Sequence, residues 1–181
     1  MISRLHRHDT ALLIVDVQER LMPSIYEAEK VEKHCTLLAH AARQLQLPVV
    51  VTEQYPEKLG RTVPAILEAI DQLEPLPKTL FSACTPAVLE TLRATSCSTI
   101  LLCGVETHVC VLQTALDLLG HGFNVFVAYD AVSSRQESNK QVGWERMMRA
   151  GALPTSSESA IFELLREAGT PDFKALLPLL K

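Results

Sequence analysis

The sequence predicts an α/β protein in which helices cover both faces of a parallel sheet. Short apolar runs alternate along the chain with segments of helical periodicity. The apolar runs are continuous, as expected for strands that are buried on both faces. At 181 residues the chain is long enough for one well-packed domain. We therefore expect a single-domain, three-layer α/β/α protein over residues 1–181.

Six strands are predicted from the apolar runs. They are Ala11–Val17, Pro48–Thr52, Pro77–Phe81, Thr99–Cys103, Phe123–Ala128 and Leu153–Thr155. Residues Glu53–Thr62 are predicted to form a loop, because this segment contains Pro56 and Gly60.

Helices are predicted from apolar stripes that recur every three or four residues. They are Glu27–Leu47, Thr62–Leu73, Thr85–Ala94, Thr107–Leu119, Ser138–Ala150 and Ser157–Glu167. Thr85 followed by Pro86 is a typical helix start, and Ser138 is predicted to cap the fifth helix.

The composition excludes several classes of protein. Apolar residues make up 48% of the chain and charged residues 21%, which is typical of globular proteins and unlike disordered ones. The net charge of −4 argues against a nucleic-acid partner. The longest apolar runs, Ala11–Val15 and Thr99–Val105, are too short to span a bilayer, and the first ten residues do not resemble a signal peptide. We therefore expect no membrane partner and a cytoplasmic protein, in which the five cysteines are reduced.

Chemistry is expected at the carboxyl ends of the strands. In doubly wound sheets, ligands bind there, at the point where the strand order reverses. The candidates just after the strands are Asp16, Glu53, Lys78–Ser82, Gly104–Cys110 and Asp130.

Cys110 is the candidate nucleophile. It lies in the first turn of a predicted helix, where the dipole and the free backbone N–H groups favour the thiolate. The same N–H groups can stabilise an oxyanion. The alternative is a small buried apolar residue, which describes most free cysteines.

Asp16 and Lys78 are the candidate charged partners of this thiol. A carboxylate at the end of an apolar strand is costly unless it is paired. Asp16 is therefore either a base that orients the thiol, or a residue that caps a helix or anchors its loop. Lys78 lies in a predicted strand, where lysines are rarely buried without a partner. The alternative for Lys78 is a charged residue that protects an edge strand.

Neither a metal nor an organic cofactor is expected. The six histidines form no pair at strand ends that would suit zinc, and Glu53, Gln54 and Tyr55 have no histidine beside them. The sequence also has neither a GxGxxG motif nor a Walker loop for a nucleotide.

Four segments together resemble the isochorismatase-like cysteine hydrolase superfamily, in its isochorismatase-domain-containing branch. They are Leu13–Gln18, Lys78–Ala83, Gly104–Val111 with Thr114–Ala115, and Asp130–Ser134. They occur in the family's order, and the resemblance spans nearly the whole chain. The loop Thr52–Pro56 and the helix Leu112–Leu118 match that branch as well.

The resemblance implies a Rossmann-like, six-stranded parallel sheet of order 3-2-1-4-5-6 and a catalytic triad. The triad maps onto Asp16, Lys78 and Cys110. A cis peptide between Val105 and Glu106 is also implied, and it would direct the Glu106 N–H into an oxyanion hole together with that of Cys110. Metal-dependent members of the family carry an Asp and two His after the second strand, and this chain does not.

These observations predict a cysteine-dependent hydrolase of a small-molecule amide or related C–N bond, acting through a thioester. The residues expected to line the substrate, from their closeness to strand ends, are Gln18, Tyr55, Leu59 and Phe81. Two alternatives remain open: a non-hydrolytic interaction protein on the same fold, and a thiol redox sensor that uses Cys110 with Cys84. A homo-oligomer is expected, because this is usual for the family.

Overall fold

Six parallel strands form one sheet in the computed structural model, which describes residues 4–181. The strands are β1 (Thr10–Val15), β2 (Val49–Gln54), β3 (Leu76–Lys78), β4 (Thr99–Val105), β5 (Asn124–Ser133) and β6 (Leu153–Thr155). Their order across the sheet is β3-β2-β1-β4-β5-β6. This confirms the predicted fold class and strand order. The single domain over residues 1–181 stays a prediction, and its first three residues lie outside the described part.

Helices cover both faces of the sheet. The α-helices are α1 (Ala28–Leu45), α2 (Pro56–Leu59), α3 (Pro64–Ala69), α4 (Pro86–Ala94), α5 (Leu112–Gly120), α6 (Glu137–Arg149), α7 (Ser157–Leu165) and α8 (Pro171–Leu176). Short turns of 3-10 helix occupy Met22–Ser24 and Leu177–Leu180, and a π-helical turn occupies Thr107–Val111. None of the helices that the structure describes is long and apolar enough to cross a membrane.

The continuous apolar runs become central strands because both of their faces are covered. All six residues of β1 and all seven of β4 are buried. Along β1, Leu12 and Ile14 pack into one core layer, whereas Leu13 and Val15 pack into the other. A strand with helices on both sides needs apolar residues at every position, which is the pattern that the sequence showed.

The structure confirms one of the two predicted helix caps and contradicts the other. The Thr85 hydroxyl accepts a hydrogen bond from the Val88 N–H, so the predicted cap of α4 is confirmed. The predicted cap at Ser138 is wrong, because α6 already begins at Glu137 after an extended Gln136 that makes no side-chain cap bond. The predicted loop over Glu53–Thr62 also contains the short helix α2, which begins at Pro56, a residue suited to a first helical turn.

Strand β3 is shorter than predicted and ends at Lys78 instead of near Phe81. It is an edge strand, which is the position where a proline such as Pro77 is tolerated because its missing N–H breaks no central ladder. Lys78 therefore lies at the carboxyl end of its strand, beside the ends of β1 and β2.

The strand order reverses between β1 and β4, which opens a crevice at their carboxyl ends. Gly104 lets β4 approach β1 there. Its φ is +116°, and a Cβ at this position would lie 2.1 Å from the Val15 carbonyl oxygen. A side chain cannot be accommodated at that separation, so this position requires glycine.

Candidate active site

A buried ion pair lies at the centre of the crevice. The Lys78 Nζ is 2.6 Å from the Asp16 Oδ2, and the two side chains are 1% and 0% exposed. Asp16 directly follows β1 with a φ of +55°, which turns the chain away from the sheet at this point. Thr52 at the end of β2 donates a hydrogen bond of 2.7 Å to the other carboxylate oxygen. Asp16 is thus neither a helix cap nor a solvent-facing loop anchor.

Lys78 is held by four acceptors. Besides Asp16, its ammonium group lies 2.7 Å from the Gln54 Oε1 and 3.2 and 3.1 Å from the carbonyl oxygens of Leu80 and Phe81. A lysine that protects an edge strand would extend into solvent. The alternative that we gave for Lys78 is therefore wrong, although β3 is an edge strand.

Cys110 faces this pair from the opposite side of the crevice. It lies in the π-helical turn that follows β4, and it is buried. The Asp16 carboxylate and the Cys110 thiol are close enough for each to shift the pKa of the other. The structure thus brings together the three residues of the predicted triad.

The expected lowering of the thiol pKa is wrong. Burial, and after it the negative charge of Asp16, raise the pKa of Cys110 to about 12. The Lys78 ammonium and the Glu106 backbone N–H act in the opposite direction but are weaker influences. The resting group is therefore a neutral thiol next to a base, because desolvation outweighs the favourable effect of the helix end.

The pKa of Asp16 is shifted as well. Burial raises the pKa of its carboxyl group above the usual range. The charge and hydrogen bond of Lys78 hold the pKa of Asp16 down, and the hydroxyl of Thr52 does the same. A buried carboxylate with a raised pKa is a stronger base than an exposed one, which suits a group that must take a proton from a thiol.

The peptide bond between Val105 and Glu106 is cis, as the family resemblance implied. The backbone N–H of Glu106 lies near the Cys110 sulfur, since it lowers the pKa of that thiol. The Glu106 side chain points elsewhere and accepts hydrogen bonds of 3.0 Å from both the backbone N–H and the Nε of Arg135. An oxyanion hole made by the N–H groups of Glu106 and Cys110 stays a prediction.

The four residues expected to line the substrate lie in different environments. Gln18 is fully buried, and its amide bonds the backbone of Gln54 and the Gly60 carbonyl oxygen, so it ties the loops around the crevice together. Tyr55 and Phe81 are 45% and 55% exposed, so neither belongs to the core. Leu59 is half-buried at the end of α2. Substrate contact by any of the four stays a prediction.

Two residues of the site were missed from the sequence. Thr52 contacts Asp16 and Gln54 contacts Lys78, and both occupy the end of β2. The signal was present, because in a parallel sheet the residues that end neighbouring strands lie at one edge. Thr52 was treated only as the last residue of a strand, and Gln54 only as a poor metal ligand.

Two acidic side chains beside the site accept hydrogen bonds from other segments of the protein. The Glu53 carboxylate accepts hydrogen bonds of 2.6 and 2.9 Å from the backbone N–H and the hydroxyl of Thr62. Asp130 accepts from the backbone N–H and the hydroxyl of Ser157, so it anchors the start of α7. Over residues 4–181, no three His, Cys, Asp or Glu side chains are grouped as metal ligands.

Known proteins resemble the chain along nearly its full length. Residues 10–159 match the isochorismatase domain model. The secreted isochorismatase effector Isc1 of Phytophthora sojae is 42% identical, over 99% of this chain and 88% of that protein. The structure of the MAR1 ribonuclease from Caenorhabditis elegans superimposes with a TM-score of 0.93 at 39% identity, over 98% of this chain and 92% of that one.

YcaC proteins are similar as well. YcaC from Pseudomonas aeruginosa, solved with hexane-2,5-diol and covalent acrylamide, gives a TM-score of 0.92 at 28% identity, over 99% of this chain and 92% of that one. YcaC from Escherichia coli is described as an octameric hydrolase of unknown specificity. It gives a TM-score of 0.88 at 26% identity, over 98% of this chain and 96% of that one. The domain match and these identities show that the chain belongs to the isochorismatase-like superfamily of hydrolases.

Proposed function

We propose that the protein is a cysteine hydrolase that cleaves a small amide or a related C–N bond through a thioester on Cys110. The observation that carries this proposal is the buried Asp16–Lys78 pair facing the Cys110 thiol. Such a base beside a thiol is the arrangement that activates a cysteine at the moment of attack.

The first half of the reaction forms the thioester. The Asp16 carboxylate takes the thiol proton while the Cys110 sulfur bonds to the carbonyl carbon of the amide. The carbonyl oxygen becomes an oxyanion, which the backbone N–H groups of Glu106 and Cys110 bind. When the C–N bond breaks, Asp16 returns the proton to the leaving amine. Lys78 keeps the pair oriented and offsets the charge of Asp16.

The second half uses one water molecule. Asp16 takes a proton from this water, whose oxygen attacks the thioester carbonyl carbon. Breaking the C–S bond releases the carboxylic acid, and the proton returns to the sulfur. The net change is amide plus water to acid plus amine, and both Cys110 and Asp16 end as they began.

Features of the chain weigh against a thiol redox sensor and against a non-hydrolytic interaction protein. The pKa of the half-buried Cys84 is raised to about 11 and that of Cys110 to about 12, so little thiolate is available at neutral pH for a redox sensor. A non-hydrolytic interaction protein needs no buried carboxylate–lysine pair. A net charge of −4 is unfavourable for binding RNA, which argues against the ribonuclease activity named for the nematode relative.

The relatives support two parts of the proposal. The Pseudomonas YcaC protein was solved with covalent acrylamide, which supports a nucleophile that reacts with small amide-containing molecules in this family. The octameric Escherichia coli relative supports a homo-oligomer. A cytoplasmic location stays a prediction. The Phytophthora relative differs from this expectation, since it is named as secreted.

The thioester is the species to detect. We would incubate the protein with a panel of small primary amides, quench in acid and map acylated peptides by mass spectrometry, while following ammonia release. We expect an acyl group on Cys110 that hydroxylamine removes, together with ammonia release that Cys110→Ser and Asp16→Asn each abolish.

Cys84→Ser is the matched control, because Cys84 is another thiol with a raised pKa. It should release ammonia at the wild-type rate. Ammonia release that survives in Cys110→Ser would refute the thioester mechanism. Ammonia release that requires Cys84 instead would place the nucleophile at the wrong residue.

A further inference from the structure

We propose that the crevice selects an uncharged substrate and disfavours a carboxylate. The inference deepens the proposed function, since it concerns the same site. It follows from the cations around the crevice, which are already occupied by partners within the protein, and from the apolar side chains at its rim.

Lys78 has no donor to offer an anion. An ammonium group has three N–H bonds, and four acceptors already surround this one. A substrate carboxylate could bind Lys78 only by displacing one of them. Displacing Asp16 would remove the proposed base, and displacing Gln54 would leave its amide oxygen without this partner.

Arg135, on the other side of the crevice, is bound to Glu106. Its Nε donates to the Glu106 carboxylate at 3.0 Å, so the two charges offset each other beside the proposed oxyanion hole. An anion approaching Arg135 would also approach the negative charge of Glu106. The Glu106 carboxylate therefore reduces the positive potential that the guanidinium provides at this position.

Positive and negative charges are also balanced at the rim of the crevice beside the end of β2. Helix α2 presents Glu57 and Lys58 next to each other, both exposed. Arg20 donates to the backbone carbonyl oxygens of these same two residues, at 3.5 and 3.2 Å. Glu19, next to Arg20, is exposed as well, so Glu19, Arg20, Glu57 and Lys58 together carry two charges of each sign.

Exposed apolar surface also follows the ends of β2 and β3. Tyr55, Leu80 and Phe81 are 45%, 59% and 55% exposed, and they belong to the two segments that follow β2 and β3. A carboxylate that passes them loses water and gains no ion partner, and this desolvation costs much more free energy than that of an uncharged amide. Selection by charge is therefore expected at the step of entry and binding.

The first test uses two alkylating reagents of similar size and different charge. We would measure the alkylation rate of Cys110 by iodoacetamide and by iodoacetate at pH 8.5, by peptide mass mapping, and divide each by the rate with 2-mercaptoethanol. The normalised rate should favour iodoacetamide by about tenfold or more. Equal rates or a preference for iodoacetate would overturn the inference.

A matched pair of variants tests the cause of the selection. Leu80→Lys adds a free ammonium at the rim, and Leu80→Gln adds a polar side chain of similar length without charge. We expect Leu80→Lys to raise the iodoacetate rate several-fold while Leu80→Gln leaves it near that of wild type. An equal rise in both variants, or no rise in either, would contradict selection by charge.

Turnover assays distinguish failure of charge selection from failure of the proposed hydrolase function. Succinamide and succinamate differ only in an amide against a carboxylate at the far end. Equal hydrolysis of both would overturn charge selection and leave the hydrolase standing. Charge-dependent alkylation without hydrolysis of any amide in the panel would contradict the proposed function and support charge selection.

Discussion

Two carboxylate–cation pairs lie near the carboxyl ends of the strands, and they differ mainly in burial. Asp16 and Lys78 are 2.6 Å apart with side chains 0% and 1% exposed. Glu106 and Arg135 are 3.0 Å apart, but their side chains are 10% and 61% exposed. Both pairs join residues far apart in sequence, so proximity along the chain explains neither.

The difference determines what each pair can do. Water does not screen the charges of the buried pair, so they act on the Cys110 thiol and shift its pKa in opposite directions. Solvent screens Arg135, whose contacts with Glu106 mainly hold the segment after β5. Burial, more than distance, makes one pair suitable for chemistry and the other suitable for positioning.

Asp16→Asn should have the largest effect, and on two measurements in opposite directions. Turnover of a substrate should fall by about a thousandfold or more, because the general base is lost. Alkylation of Cys110 by iodoacetamide at pH 8.5 should become faster, because the negative charge that raises the thiol pKa is removed. Slower alkylation in this variant would mean that Asp16 does not act on the thiol through its charge.

Lys78→Met should have the next largest effect, on stability. It leaves the Asp16 carboxylate buried without its cation, which costs about 3–5 kcal/mol in comparable buried pairs. Urea denaturation at pH 7 measures the loss, and Lys58→Met, which removes an exposed lysine, is the control. A loss no larger than that of the control would show that the buried pair contributes little.

The same variant has a defined pH dependence. Lys78 lowers the pKa of Asp16, so its removal raises that pKa further above the unfolded value. A group whose pKa is raised by folding contributes stability at low pH and loses it as the pH rises through the folded pKa. Lys78→Met should therefore be most stable in acid and weaken toward neutral pH. Stability that instead increases from acid to neutral pH, relative to wild type, would contradict this.

Gly143→Ala should have an intermediate effect, because helix α6 rests directly on the turn that carries Cys110. A Cβ at residue 143 would lie 2.7 Å from the His108 Cα and 2.8 Å from the Thr107 carbonyl oxygen. Overpacking of this kind costs about 1–3 kcal/mol, and the turn should move. Thermal unfolding and the Cys110 alkylation rate measure both consequences.

Gly120→Ala is the matched control for this prediction, since a Cβ there meets nothing within 4 Å. It should not destabilise the protein. If both variants unfold at the wild-type temperature, then α6 can shift without cost and does not position the nucleophile.

Arg135→Gln should have the smallest effect. The exposed pair is screened by solvent, so its loss should change the free energy of unfolding by no more than about 1 kcal/mol. The alkylation rate of Cys110 should stay within about twofold of wild type for the same reason. A loss of stability approaching that of Lys78→Met would remove the contrast between the two pairs.

The site was predictable in its members but not in its electrostatics. Asp16 and Cys110 come after apolar runs and Lys78 lay within a predicted strand, and all three were found from the strand-end rule and the family resemblance together. Thr52 and Gln54 were missed because their roles depend on which strand neighbours which. The pKa of Cys110 was predicted in the wrong direction, because desolvation depends on packing that the local sequence does not reveal.

The sequence by itself determined the alternation of strands and helices, their approximate bounds and the three residues that face the crevice. Apolar periodicity, caps and breakers are local properties, so they can be recognised without a structure. The tertiary structure alone decided the end of β3 at Lys78, the four acceptors of its ammonium, and the difference in burial between the two ion pairs. Those features depend on contacts between segments distant in sequence, where burial sets how strongly charges interact.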